Sequence, residues 1–403
     1  MRFPSYSSEW HSYTLGEILT FYSTNSFSRE KLNYKSGSVK NIHYGDIHTK
    51  FPSIVSIDNN KDIPFINDDL DLSKFSEDQY LREGDLIIAD ASEDYEDIGK
   101  AIEVKDINNE KVLAGLHTIL ARDENDMTVN GFKAYLFSTN NLKTKIKIIA
   151  NGISVLGISK NNLSKLNVEI PSKKEQQNIV SFISDIDKKI ELLERKHQSY
   201  LEFKKYLMQQ IFTQKLRFDD NCQYKTKQVK DFLIESKIEG IDDINKRLTV
   251  KLNLKGITVR ESKTIEIEGA TKQFIRKTGQ FIYGKQNLHK GAFGIIPKEL
   301  DGYLTSSDIP SFDFKEGIEP KWFYYYFARK SFYEKLENLS TGTGSKRISP
   351  KEFLNIKIIV PELKEQHKIV CLLEKFDEKI NGISNQIVQM NMFKKSLLQQ
   401  MFV

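Results

Sequence analysis

A repeat constrains this chain more than any other feature. Residues 171–213 and 361–403 align without a gap at an offset of 190, and 16 of 43 paired positions are identical. At ordinary composition chance gives roughly two or three. The shared residues include Pro171/Pro361, Glu175-Gln176/Glu365-Gln366, Ile179-Val180/Ile369-Val370 and Lys189-Ile190/Lys379-Ile380. They continue with Phe203-Lys204-Lys205/Phe393-Lys394-Lys395 and Gln209-Gln210/Gln399-Gln400.

Each copy carries a heptad pattern. In the first, the seam runs Ile179, Ile183, Ile186, Ile190, Leu193, His197, Tyr200, Lys204, Leu207, Ile211. In the second it runs Ile369, Leu373, Phe376, Ile380, Ile383, Ile387, Met390, Lys394, Leu397, Met401. Steps of four and three alternate, which is the 3.5-residue period of a coiled coil. Lys204 and Lys394 hold the same seam position, where a polar residue costs stability and fixes register. A strand-like run, Leu166–Ile170 or Ile356–Val360, precedes each proline, and proline is tolerated at a helix start. Two helices of about 40 residues, on the order of 60 Å long, are expected, each the other's natural partner.

The segments before the helices diverge but echo each other in order. Tyr44-Gly45-Asp46-Ile47 parallels Leu254-Lys255-Gly256-Ile257, and Gly84–Ile88 parallels Gly279–Tyr283. Gly115-Leu116-His117-Thr118 resembles Gly302-Tyr303-Leu304-Thr305, and Ile158-Ser159 matches Ile348-Ser349. Short β-branched runs bounded by Gly, Asn and Asp predict mixed domains of strands and turns. Short helices are expected near Gly131–Leu142 and Pro320–Leu336; the aromatic run Trp322–Phe327 reads as core. The expected organisation is 1–170 first globule, 171–218 first long helix, 219–360 second globule, 361–403 second long helix, an α+β chain with a pseudo-twofold internal repeat.

Charge follows the same division. The net charge of +5 conceals a first globule at −6, a second at +6 and a first helix at +4. A strongly acidic stretch lies between Asp58 and Asp97 and should face away from phosphates. The two cysteines, Cys222 and Cys371, make neither a zinc ribbon nor a disulfide framework. No apolar run approaches 18 residues and Met1–Trp10 lacks a signal-peptide core, so a cytoplasmic protein with no membrane partner is expected.

Motifs of chemistry are absent. Thr341–Arg347 (TGTGSKR) lacks Walker spacing, no GxGxxG opens a helix, and the seven histidines show no metal-ligand spacing. No G-x-S-x-G elbow and no Pro-Pro-aromatic methyltransferase tetrapeptide occurs. No catalytic residue and no metal ligand is expected in this chain.

Two diverged globules, each followed by a strand, Pro, Glu-Gln and a long heptad helix ending in Lys-Lys…Gln-Gln…Phe, resemble the specificity subunit of type I restriction–modification systems. The resemblance rests on Ile170-Pro171…Glu175-Gln176…Ile179-Val180 and Lys204-Lys205…Gln209-Gln210-Ile211-Phe212. Their counterparts are Val360-Pro361…Glu365-Gln366…Ile369-Val370 and Lys394-Lys395…Gln399-Gln400-Met401-Phe402. It implies that each globule is a target recognition domain reading one half of a split site on double-stranded DNA. The two helices would pair antiparallel and set the gap. Two adenine-methyltransferase subunits and restriction (translocase/nuclease) subunits would be the partners. S-adenosylmethionine, ATP and Mg would sit on those partners, with no cofactor in this chain.

Base readout needs paired donors or acceptors on loops, and phosphate anchoring needs cations, hydroxyls, amides or backbone N–H groups. In the second globule the loop Lys285, Gln286, Asn287, His289, Lys290 combines cations with amides. Ser306 and Ser307 occupy a turn, and Thr343, Ser345, Lys346 and Arg347 a Gly-rich loop suited to phosphate. In the first globule the candidates are His43, Tyr44 and Lys50, Tyr95 and Lys100, His117 and Thr118, and Asn151 and Ser154. Two other readings are a coiled-coil adaptor with two protein-binding domains, and a nuclease with unrecognised acids.

Overall fold

The computed structural model describes residues 6, 9–58, 60–261, 269, 271–339 and 347–402. The chain divides into two compact units, Met1–Leu193 with Gln386–Val403, and Glu194–Asn385. The predicted helices form, as Lys173–Phe212 and Leu363–Met401. Each contributes one part to each unit.

In the first unit the central strand Leu86–Ala89 is buried throughout, as its apolar Leu-Ile-Ile-Ala run requires. It lies in a five-stranded sheet ordered Thr20–Tyr22, Thr118–Arg122, Leu86–Ala89, Ala101–Lys105, Ile54–Ser56. A second sheet holds Val112–Ala114, Lys40–Ile42, Phe65–Ile66 and Leu32–Asn33. His11–Thr14 pairs antiparallel with Asn167–Ile170, the strand that leads into the long helix.

The second unit repeats this plan. Its four-stranded sheet is ordered Leu233–Ser236, Ser311–Phe314, Phe281–Tyr283, Phe293–Ile295. Tyr224–Gln228 pairs with Lys357–Pro361. The registers match strand by strand: Leu86 faces Ala121 as Phe281 faces Phe312, and Phe21 faces Ala121 as Glu235 faces Phe312. Gly84 and Gly279, each before the central strand, both sit at φ +81°. The positive φ is what calls for glycine at both turns; a Cβ on Gly84 would also meet the end of the exposed Asn130 side chain, which can move aside.

This register corrects one sequence match. Gly115–Thr118 was expected to correspond to Gly302–Thr305. Strand pairing instead makes His117 the counterpart of Asp308, and Ser311–Phe314 the counterpart of Thr118–Arg122. A Gly…Thr pattern reports a local turn, whereas the equivalence is set by the partner strand.

The cores explain why the globules diverged while the plan held. The second unit stacks Phe353 on Phe281 at 5.5 Å and sets Phe312 5.1 Å from Phe353. The corresponding first-unit residues are Leu163, Leu86 and Ala121, a smaller aliphatic set, all buried. Trp322, Phe323 and Phe327 are buried in the second core, as expected of that run. Where Phe323 fills that core, the first unit has Lys133, paired with Glu103 at 3.1 Å and buried.

The Glu-Gln pair of each repeat is a clamp. Gln176 accepts from Val129 N at 2.9 Å and donates to the carbonyls of Met127 and Pro171. Gln366 accepts from Glu319 N at 2.7 Å and donates to Gly317 O and Pro361 O. Both glutamines are buried, so their satisfied amides fix each helix start to its globule.

The helix seams pack as the heptads require. In the first unit Ile179, Ile183, Ile186 and Ile190 join Leu397, Leu398, Met401 and Phe402 in one core with Phe132 and Tyr135. In the second, Leu207, Met208, Ile211 and Phe212 join Ile369, Val370 and Leu373 against Trp322 and Phe323. Leu193, Ile380 and Ile383 are buried as well, and Phe376 is half-buried. The seam lysines are paired. Lys394 reaches Asp187 at 2.5 Å, and Asp187 accepts from the Tyr135 hydroxyl at 2.9 Å. Lys204 pairs with Asp377, which accepts from the Tyr325 hydroxyl at 2.6 Å. Seventeen residues onward along the first helix, the partner lies seventeen residues back along the second, so the helices run antiparallel.

Candidate nucleic-acid interface

In each unit several of the described candidates lie near the end of the central strand, around one backbone position. In the first unit that position is Asp90. Its N–H donates to His117 O at 3.1 Å, and its carbonyl accepts from Ile158 N at 2.9 Å. In the second it is Lys285, whose N–H donates to Asp308 O at 2.9 Å and whose carbonyl accepts from Ile348 N at 2.9 Å. Ile158 and Ile348 are buried at the 190-residue offset. Each precedes a serine, Ser159 or Ser349, that caps a short helix. The same three-stranded junction therefore carries different side chains.

Around Asp90 the loops converge. His117, at φ +55°, brings Nδ1 to 3.4 Å from the Asp90 carboxylate and is half exposed. Tyr44 lies edge-on to His117 and to His48, with centroids 5.3 and 5.8 Å apart, and 4.7 Å from His43. Lys100 Nζ donates to His48 O at 2.7 Å, and His48 Nε2 lies 3.1 Å from Ala91 O. The strand Ala91–Ser92 pairs with Leu156–Gly157, which sets the Asn151–Ser154 turn beside the acidic loop. Burial pushes the Asp90 carboxyl up, against the pull of His117.

Two candidates are placed otherwise than expected. His43 is buried and its Nδ1 accepts from Gly45 N at 3.2 Å, capping the helix Tyr44–Thr49. Burial, with Arg29 nearby, lowers its pKa to about 4, so the ring is neutral at pH 7. Thr118 is also buried and donates to Gly115 O at 2.6 Å. Both shape the site from beneath and do not face solvent. Lys50 is held by Tyr34 and Asp46. Tyr95 is exposed, with its hydroxyl on Lys147 O. Asn151 and Ser154 are exposed; Asn151 donates to Ile149 O.

In the second unit the Lys285–Lys290 loop turns back on itself. Asn287 O accepts from Lys290 N and Ala292 N, and Gly291 closes the turn at φ +74°. Gln286 and Lys290 are exposed; Lys285, Asn287 and His289 are half-buried. Arg347 reaches Asp308 at 3.1 Å, so the Gly-rich loop's last residue lies at the junction; Thr343, Ser345 and Lys346 lie outside the described residues. Ser306 accepts from Asp308 N. A cleft of about 410 Å³ beside Lys285 has Ser307, Lys237, Lys351, Arg276 and Glu235 in its lining.

Arg276 and Asp308 carried no motif and were missed in the sequence. Arg276 is buried and donates to Thr305 Oγ1, Ser311 Oγ and the carbonyls of Ser236 and Ile309. Burial pulls its pKa down to about 10, which leaves it a cation at pH 7. Among the described residues no group of three or more His, Cys, Asp or Glu is placed to hold a metal ion. No helix among them is long and apolar enough to cross a membrane.

The model of the type I restriction modification DNA specificity domain matches this sequence twice, at residues 7–202 and 224–389. The chain belongs to that family. The two matches fall on the two repeats, so one chain carries two specificity domains. The type I restriction enzyme MjaVIII specificity subunit of Methanocaldococcus jannaschii is 29% identical over 140 residues. That alignment spans 34% of this chain and about a third, 32%, of that relative. The crystal structure of a type I restriction-modification system S subunit from M. genitalium superposes with a TM-score of 0.56 at 12% identity. It covers 100% of this chain and 99% of that one. The HsdS subunit from Thermoanaerobacter tengcongensis gives 0.50 at 14% identity, over 99% and 98%. A chain from a structure of complex assembly and conformational transition of the type I R-M system gives 0.56 at 13%, over 97% of each. At these identities the solved structures show a shared fold.

Proposed function

We propose that this chain is the DNA-recognition subunit of a type I restriction–modification enzyme. Each globule reads one half of a bipartite duplex site, and the paired helices set the gap. The observation that supports this most is the combination of a repeated scaffold with unlike tips. The glutamine clamps, the Lys-Asp-Tyr contacts and the sheet register recur, while Asp90 and Lys285 occupy one structural position with opposite charge. Two equal frames with unlike faces suit a target whose halves differ.

In this reading the chain supplies the address and performs no chemistry itself. Adenine-methyltransferase subunits bring S-adenosylmethionine, and restriction subunits bring ATP and Mg. Phe203 and Phe393, at the repeat offset and about half exposed, give each unit an equivalent apolar spot on its helices. Such paired spots suit two copies of one subunit.

The test is selection of duplex DNA from a randomised library by the full chain. Recovery of one bipartite motif with a constant gap is the expected result. Recovery of a single contiguous motif, or of none, overturns the reading.

A further inference from the structure

Resting on that reading, we infer that Asp90 and Lys285 are the specificity-determining pair of the two units. Asp90 accepts from a base that offers an exocyclic amino group, and Lys285 donates to a guanine edge.

Asp90 and Lys285 are structurally equivalent. Both residues follow the central strand of their sheet, both bridge two loops through their backbone, and both bridges have the same partners in the repeat. Backbone groups fixed on both sides hold the Cα in place, so the side chain is what differs. A position locked by scaffold and free at its tip suits readout, which requires a side chain held in register with a base edge.

The surroundings then fix the sign. Among the described residues the Asp90 carboxylate pairs with the half-exposed His117 ring, Lys160 acts on it from further off while donating to Tyr22 O, and Asp90 itself is partly open. An acceptor-only group among acidic loops would be repelled by phosphate. It is matched by an amino edge, N4 of cytosine or N6 of adenine. In the second unit Lys285 opens on the cleft beside the buried Arg276 and the exposed Lys351. Arg276 makes its hydrogen bonds to neutral oxygens. Glu235 also lines the cleft and offsets part of the Arg276 charge, but it is paired with Lys237 at 3.0 Å, and against this one carboxylate stand Lys237, Arg276, Lys285 and Lys351, so the cleft favours an electron-rich group. Of the base edges, guanine with O6 and N7 presents two acceptors and no donor in the major groove. The chemistry of the two positions predicts half-sites that differ in this way.

The experiment is the same randomised-duplex selection, run with the full chain and with Asp90→Asn and Lys285→Gln. Asp90→Asn is expected to relax one position of one half-site by about 5- to 100-fold in preference, a cytosine or adenine read on the contacted strand. Lys285→Gln is expected to relax one guanine in the other half-site to a similar degree. The untouched half of each motif is the internal control for folding. If both variants keep the wild-type motif, the inference fails while the proposed function stands. If either weakens binding evenly across all sequences, the residue is a phosphate contact and the inference also fails. If wild type selects no bipartite motif, the proposed function itself fails.

Discussion

The contact of Lys204 with Asp377 and Tyr325 makes the repeated register testable. Lys204 keeps 15% of its side-chain exposure and Asp377 39%, and Lys204 Nζ lies 4.9 Å from the Tyr325 ring centroid. A hydrogen bond to a charged group is worth about 1.5–3 kcal/mol, and an exposed ion pair about 0–1. A half-shielded pair lies between them, so the coupling of Lys204 to Asp377 is expected at about 1–2 kcal/mol. Lys204→Met alone is expected to cost about as much, roughly 5- to 30-fold in the folded-to-unfolded ratio. Each unit has one tryptophan, Trp10 or Trp322. Urea unfolding in a Trp10→Phe background, followed by Trp322 emission, therefore reports the second unit alone. A cycle of Lys204→Met, Asp377→Asn and the double variant isolates the pair term. A coupling below about 0.3 kcal/mol would refute the view that the seam lysine sets register through this contact.

His43 is neutral in the fold, with a pKa of about 4 against an ordinary 6.5, so the unfolded chain binds the extra proton between those values. First-unit stability should therefore rise with pH from about 4 to 6.5, by up to about 3 kcal/mol, and flatten above; a His43→Asn variant that keeps the slope contradicts this. Phe353→Ala removes a ring stacked on Phe281 and should cost about 3–5 kcal/mol in second-unit unfolding. Inserting one heptad into both long helices, in phase, lengthens each by about 10 Å and should widen the selected gap by about three base pairs.

The helices were the most legible part of the sequence. A heptad pattern is local, and its period alone dictates which face is buried, so Ile179 through Ile190 and Ile369 through Ile383 could be placed before any contact was known. The Glu-Gln repeats were visible as identities, but their reason was not. Gln176 and Gln366 clamp backbone carbonyls 49 residues away, and spacing does not encode such partners. The globules were half legible. Gly84 and Gly279 marked equivalent turns correctly, because positive φ leaves a residue signature. The match of Thr118 to Thr305 failed, because strand pairing and not turn composition sets the register. Asp90 and Lys285 look unrelated in sequence. Their equivalence lies in hydrogen bonds to His117, Ile158, Asp308 and Ile348. The burial of His43 and Thr118 followed from the same long-range closure.

On the proposed function, this chain addresses two unlike half-sites across a fixed gap. That function is tested most directly by mapping adenine methylation across the genome of cells with and without this gene. One bipartite motif, with unlike halves and a constant gap, is expected to lose methylation when the gene is removed. An unchanged methylation map, or loss at a contiguous motif, would contradict it.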